Sequence, residues 1–278
     1  HDCTPGTGSD GRIRRVTAPF IPPGDHPSDR IRALFLSSFS VMDLAEPLVS
    51  FDEEAPAPEV RAFLEERGFG LVGIRRQGLV AAFAFASDLG AGRLADHARE
   101  FGPDDLIPAT ASLPDTIASL DANGRCFVSI LGRPGGIVTF RELDKPPVRM
   151  WLFGMITMLE TYLGRSIRET WPDGSWTSLL SPGRRSKAEQ VLQERRRRGH
   201  PGDLLDCLQL ADKAGLLTKR PEFLARTRFS SKREADEGFQ RIQALRNGLA
   251  HAQPSLVSTD WRLVVQLARS VDTLALIA

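Results

Sequence analysis

The strongest constraint on this chain is an internal repeat of 56 residues. Pro58 and Pro114, Leu64 and Leu120, and Val72 and Val128 are each separated by that interval. In each copy a proline opens a segment with apolar residues at helical spacing: Val60, Phe63 and Leu64, then Ile117 and Leu120. Each segment stops at a glycine, Gly68 or Gly124, the residue best able to take the left-handed conformation that ends a helix. Two β-rich runs follow in each copy. Residues 69–74 and 79–85 flank a turn at Gln77-Gly78, and residues 126–131 and 137–140 flank Arg133-Pro134-Gly135. The copies close on Asp88-Leu89 and Glu142-Leu143, 54 residues apart, which places a two-residue difference in the hairpin. A duplicated unit of this kind buries its apolar faces against its twin.

The order strand, helix, strand, strand, helix, given twice, resembles a CBS-domain pair over roughly residues 40–160. Val41-Met42-Asp43 and then Pro47-Leu48-Val49 supply the entry signal. The resemblance implies a tandem β-α-β-β-α module over 30–147, with repeats at about 40–92 and 104–147; no strand pattern appears after 148, so an all-α helical bundle over 148–278 is expected to follow, for an α+β fold overall. It also implies a regulatory adenine nucleotide (ATP, AMP or a cyclic adenylate). The family's ribose-binding signature is Gly, two residues, Thr or Ser, two residues, Asp. The second copy offers Gly136, Thr139 and Glu142, while the first keeps Asp88 but has Phe85 at the Thr position. The chemistry is direct, because a carboxylate accepts from both ribose hydroxyls and a threonine hydroxyl reaches phosphate. Arg133, Arg141 and Arg149 are either phosphate partners or surface charges.

Charge divides the chain where the repeat ends. The 36 basic and 35 acidic residues give a net charge of +1, which excludes a uniformly basic nucleic-acid binder. Residues 1–148 carry 15 basic and 21 acidic side chains, a balance of −6, and residues 149–278 carry 21 and 14, a balance of +7. The second half therefore suits an anionic partner. Its periodicity is helical throughout. Residues 148–163 place Trp151, Leu152, Met155, Ile156 and Leu159 on one face, and 187–198 end in four arginines. Residues 204–214 are closed by Gly215, Ser231 caps a long helix, and 260–277 form the last.

Near the end of the long helix stands Arg246-Asn247-Gly248-Leu249-Ala250-His251. It resembles the Arg-Asn-three residues-His signature of HEPN domains, helical bundles many of which are metal-independent ribonucleases. An Arg five residues before a His is common in a chain with 31 Arg and 5 His. With only 2 Asn in the chain, the added Asn makes the triplet specific. The chemistry fits RNA, whose 2′-OH is its own nucleophile. His251 supplies a group titrating near neutrality, and the forked guanidinium of Arg246 matches a crowded phosphate. Asn247 lies one turn before His251, on the same helical face. Arg246 lies about 140° round the helix from His251, so the resemblance implies a homodimer in which two motifs face one cleft. Arg184, Arg185, Arg195, Arg196, Arg197 and Arg198 are either RNA-phosphate contacts or solvated helix ends. Arg195 also precedes His200 by five, but Gly199 and Pro201 interrupt that helix.

The expected function is a nucleotide-regulated endoribonuclease of toxin or antiviral-defence type. It needs no catalytic metal or cofactor and acts on RNA by 2′-OH attack. The alternative is a non-enzymatic nucleotide-sensing adaptor whose helical half binds a partner protein or RNA. Cys3, Cys126 and Cys207 are few and far apart, which argues against a disulfide framework or a cysteine metal site and for a reducing cytoplasm. The apolar runs are too short to span a bilayer. Residues 1–29, rich in Gly, Pro, Asp and Ser, read as a flexible arm, followed by a helix from Ser28 to Phe39.

Overall fold

The computed structural model describes residues 38–227, 229–251, 253–254, 257 and 261–265. The N-terminal arm, Cys3, nearly all of the 28–39 helix and most of the 260–277 helix lie outside these residues. Among the described residues, no helix is long and apolar enough to cross a membrane.

The repeat forms two four-stranded sheets, each built from both copies. In the first sheet β2 (Ser50–Asp52) runs parallel to β3 (Leu71–Arg76). β3 pairs antiparallel with β4 (Leu79–Phe85), which pairs with β5 (Arg99–Glu100). In the second, β6 (Leu106–Pro108) runs parallel to β7 (Arg125–Ile130), β7 pairs with β8 (Arg133–Thr139), and β8 pairs with β1 (Glu46–Pro47). The short strand leading into each copy thus completes the sheet of the other. The same exchange recurs in the backbone: Val41 N–H donates to Ala111 O, and Leu94 N–H to Ala55 O, both at 2.8 Å. Gly136 permits the β1–β8 contact, since a Cβ there would lie 3.2 Å from the Ala45 Cβ.

Helices α1 (Ala57–Arg67) and α2 (Leu113–Asn123) begin at Ala57 and Leu113, with proline as the second residue of each, and end at left-handed Gly68 and Gly124. Residues alternate across each sheet. Val72, Ile74, Ala82 and Ala84 pack on α1, whereas Cys126, Val128 and Val138 share a core with α2. Phe83 and Phe127 point the other way and meet between the sheets with ring centroids 4.9 Å apart.

Four sequence expectations about the repeat are corrected. The register pairs Val72 with Ala84 and Cys126 with Val138, so the counterpart of Val72 is Cys126 and not Val128. The two extra residues lie between helix and strand, Gly68-Phe69-Gly70 against Gly124 alone, and the hairpins are equal in length. The second hairpin turns at Leu131-Gly132 (φ 50° and 78°), matching Gln77-Gly78 (φ 52° and 77°), with Arg133-Pro134-Gly135 inside β8. Pro134 is tolerated there because it sits at the register shift after Val128. Finally, the first copy has no closing α-helix. Single 3₁₀ turns at Ala86–Asp88 and Leu94–His97 take its place.

The second copy closes with α3 (Pro146–Thr170), a 25-residue helix that runs on without a break. Its Val148, Trp151 and Leu152 share a core with Ile117, Leu120 and Val138 of the second copy, and that core continues to Leu210, Phe239 and Ile242. After it come α4 (Pro182–Arg197), capped by Ser181, then α5 (Leu210–Leu217), α6 (Pro221–Leu224) and α7 (Lys232–Ala250), capped by Ser231. α5 runs straight through Gly215 and is preceded by Gln209 as its cap, whose N–H donates to Asp212 at 3.4 Å. The segment before it is only a 3₁₀ turn, Leu205–Cys207. Among the described residues no strand follows Thr139. Buried Lys213 of α5 pairs with Glu160 of α3 at 2.9 Å, and Gln243 of α7 accepts from the Ala211 N–H at 3.0 Å, so the three helices are fastened by polar bonds as well as by packing.

Candidate functional site

The two copies end their hairpins at equivalent turns, and the turns differ in chemistry. In the second copy the Thr139 N–H and hydroxyl both donate to Glu142 Oε2, at 2.7 and 2.6 Å, while Thr139 Oγ1 accepts from the Arg141 N–H at 3.4 Å. This reciprocal cap fixes a half-buried carboxylate at the end of β8. Arg125 stands opposite Thr139 in the ladder. Its guanidinium lies 4.7 Å from the Phe85 ring centroid and 5.2 Å from that of Phe83, so it reaches into the layer between the sheets. Arg125 Nε is buried without a hydrogen-bond partner, while Nη1 donates to Asn123 O at 3.4 Å and Nη2 lies 3.7 Å from Asp105. Sequence reasoning missed this arginine because it began the strand at Cys126 and put the turn at Arg133-Pro134-Gly135, a register in which Arg125 does not face Thr139. Gly136 is accounted for by the approach of β1 and has no polar side chain to offer a ligand.

In the first copy Phe85 makes no side-chain cap. Its ring lies between two guanidiniums, with Arg99 at 4.9 Å and Arg125 at 4.7 Å. Asp88, the expected ribose partner, is held by Arg99 at 2.6 Å. Phe101 adds a further ring, 5.3 Å from Phe83 and 4.8 Å from Phe127. This half is filled by its own side chains. Behind β7, burial pushes the Cys126 thiol up to about 12, with a smaller push from the Glu142 charge, so the sulfur stays a neutral core group.

The helical half presents its motif openly. Arg246, Asn247 and His251 are all exposed at the end of α7. Arg246 Nη1 is 3.5 Å from Asn247 Oδ1, and His251 is the residue at which the helix stops, its N–H donating to Asn247 O at 3.1 Å. The chain then folds back, Gln253 N–H donating to Gly248 O. The arginines of α4 are exposed but largely engaged within the chain. Arg184 pairs with Asp212, Arg185 with Glu189, and Arg197 and Arg198 with Glu194. Arg195 approaches Asp206 O at 3.5 Å, and no acidic partner is described for Arg196. A groove of about 630 Å³ beside them is lined by Arg195, Arg198, His200 and Val191, which brings together the Arg195–His200 pair that sequence reasoning set aside. Arg149, one of the arginines considered for phosphate, donates instead to Gln253 O at 2.8 Å. Among the described residues no cluster of His, Cys, Asp and Glu is arranged to hold a metal ion.

No protein-family profile matches the chain, and no curated protein matches it. Solved structures do. The CBS domain of a bacterial CNNM/CorC family Mg2+ transporter is 17% identical, covering 44% of this chain and 85% of that one, with a TM-score of 0.34. The same domain in complex with ATP is 15% identical over 44% of this chain and 94% of that one, with a TM-score of 0.35. CBSX2 in complex with AMP is 13% identical over 40% and 98%, with a TM-score of 0.36. What this chain is similar to, then, is a set of CBS-domain structures, each spanning less than half of it.

Proposed function

We propose that the protein is a nucleotide-sensing adaptor. The second copy of the repeat takes an adenine nucleotide at the Thr139–Glu142 turn, and the basic helical half carries the signal to RNA through its exposed arginines. The observation that carries this reading is the capped carboxylate of Glu142 beside Arg125. The cap presets an acceptor for ribose hydroxyls, and a guanidinium with a buried, unpaired Nε stands within the same layer to meet phosphate. The first copy supplies no second site, because Phe85 and Arg99 occupy it. The stoichiometry is therefore one nucleotide per chain. Titration calorimetry with ATP, AMP and cyclic adenylates tests this, with Glu142→Ala weakening binding by about 10- to 100-fold, or about 1.4–2.8 kcal/mol. Absence of heat from all of them ends the reading.

A second reading is a metal-independent endoribonuclease acting as a dimer. The specific observation in its favour is that Arg246, Asn247 and His251 are exposed together at one helix end, open to a substrate and to a second copy. Single-stranded RNA incubated with the protein in EDTA decides it. Cleavage leaving 2′,3′-cyclic phosphate ends and abolished by His251→Ala supports the enzyme; intact RNA leaves the adaptor.

A further inference from the structure

Among the described residues, the segment that follows α7 is tied to the turn proposed to take the nucleotide and to the start of α3. Three contacts join residues 140–149 to the segment that follows His251. The Phe140 ring, directly after Thr139, stacks on Trp261 with centroids 4.4 Å apart and planes 32° apart. The Asp144 carboxylate accepts from the Val257 N–H at 2.8 Å. Arg149, in the first turn of α3, donates to Gln253 O at 2.8 Å, and its Nη2 is buried beside that bond. Val257 is fully buried in the core shared by the second copy and the helices, so the segment is anchored at its middle too.

We infer that residues 139–149 act as a clamp through which the second copy of the repeat controls the order of the Arg246–His251 helix end. This rests on the nucleotide reading for its trigger but not for its existence. Phe140 and Asp144 lie in one 3₁₀ turn, Phe140–Asp144, whose entry is fixed by the Thr139–Glu142 cap. A ligand drawing on the Glu142 carboxylate competes with that cap or tightens it, and either way acts on the turn bearing Phe140 and Asp144. The far ends of both contacts lie within ten residues of His251 in sequence. α7 itself stops at Ala250, where its last carbonyls lack partners in the helix ladder, so the order of its end draws on the chain that follows, Gln253 N–H to Gly248 O among the contacts. The first copy has nothing comparable, since its equivalent turn, Ala86–Asp88, leads into a loop instead of α3.

Hydrogen exchange on the full chain, followed by mass spectrometry, tests the clamp in two arms. Without ligand, Phe140→Ala and Asp144→Ala each speed exchange in peptides spanning 240–254 by about tenfold or more, because local opening becomes easier. Phe140→Tyr, which keeps the ring, does not, and α1 exchanges as in the wild type in all three, which shows that the fold is intact. Unchanged exchange at 240–254 in both disruptive variants overturns the inference. With ATP, exchange at 240–254 changes in the wild type and not in Phe140→Ala, provided calorimetry shows that the variant still binds. An equal change in both overturns the clamp as the route. Absence of ATP heat with the wild type removes the trigger alone, and the first arm still decides the clamp.

Discussion

The two copies of the repeat share a backbone and have parted in what their side chains do. The first keeps a small core of its own around Ala57, Val60, Leu64 and Val72. Where the second copy has Thr139, the first has Phe85, locked between Arg99 and Arg125. The second has given up a separate core and merged with the helices through α3, while its terminal turn keeps a capped carboxylate. Duplication supplies two equivalent positions, and packing requires only that the layer between them be filled. Once phenylalanines fill it from one side, the other turn is free to stay polar.

Phe127→Ala removes a fully buried ring that touches Phe83 and Phe101 across the sheets, and the expected loss is about 3–5 kcal/mol by urea unfolding. A loss below about 1 kcal/mol would mean that the two sheets are not held by this layer. Thr139→Ala deletes the cap in the second copy and should cost about 1 kcal/mol, whereas Phe85→Thr in the first forfeits ring packing and gains a cap only if the backbone there accepts it. Equal and small effects at both positions would show that the turns are not differentiated. The smallest effect concerns the hairpin tips. Leu131, fully exposed at φ 50°, occupies a conformation that glycine and asparagine tolerate better, and Leu131→Asn should stabilise by about 0.5–1 kcal/mol in the same assay.

Much of the architecture was legible because it is written locally. Proline openings and glycine stops bounded α1 and α2, Ser231 marked the start of α7, and the apolar spacing of Val148 to Leu163 marked α3. The turn at Asp88 and Glu142 was aligned correctly by its 54-residue offset. The strand register was misjudged because two valines 56 residues apart looked equivalent, and only the pairing with Ala84 and Val138 shows otherwise. Arg125 was missed because the turn was placed at Arg133-Pro134-Gly135 instead of Leu131-Gly132, a register that does not pair it with Thr139, fourteen positions along the chain. Arg149 was weighed as a phosphate ligand, yet its partner is a backbone carbonyl 104 residues away.

The sequence alone therefore determined the duplication, the helix and two following strands of each copy, the charge division and the Arg246-Asn247-His251 triplet. Helix caps, turns and periodicity act within a few residues, and such signals survive without a fold. The tertiary structure decided which copy completes which sheet, that Phe85 closes one turn while Thr139 keeps the other polar, and that residues 140–149 hold the segment beyond His251. Those outcomes depend on strands two or three residues long and on contacts across a hundred positions. No local pattern encodes them, because their free energy arises only when distant surfaces meet.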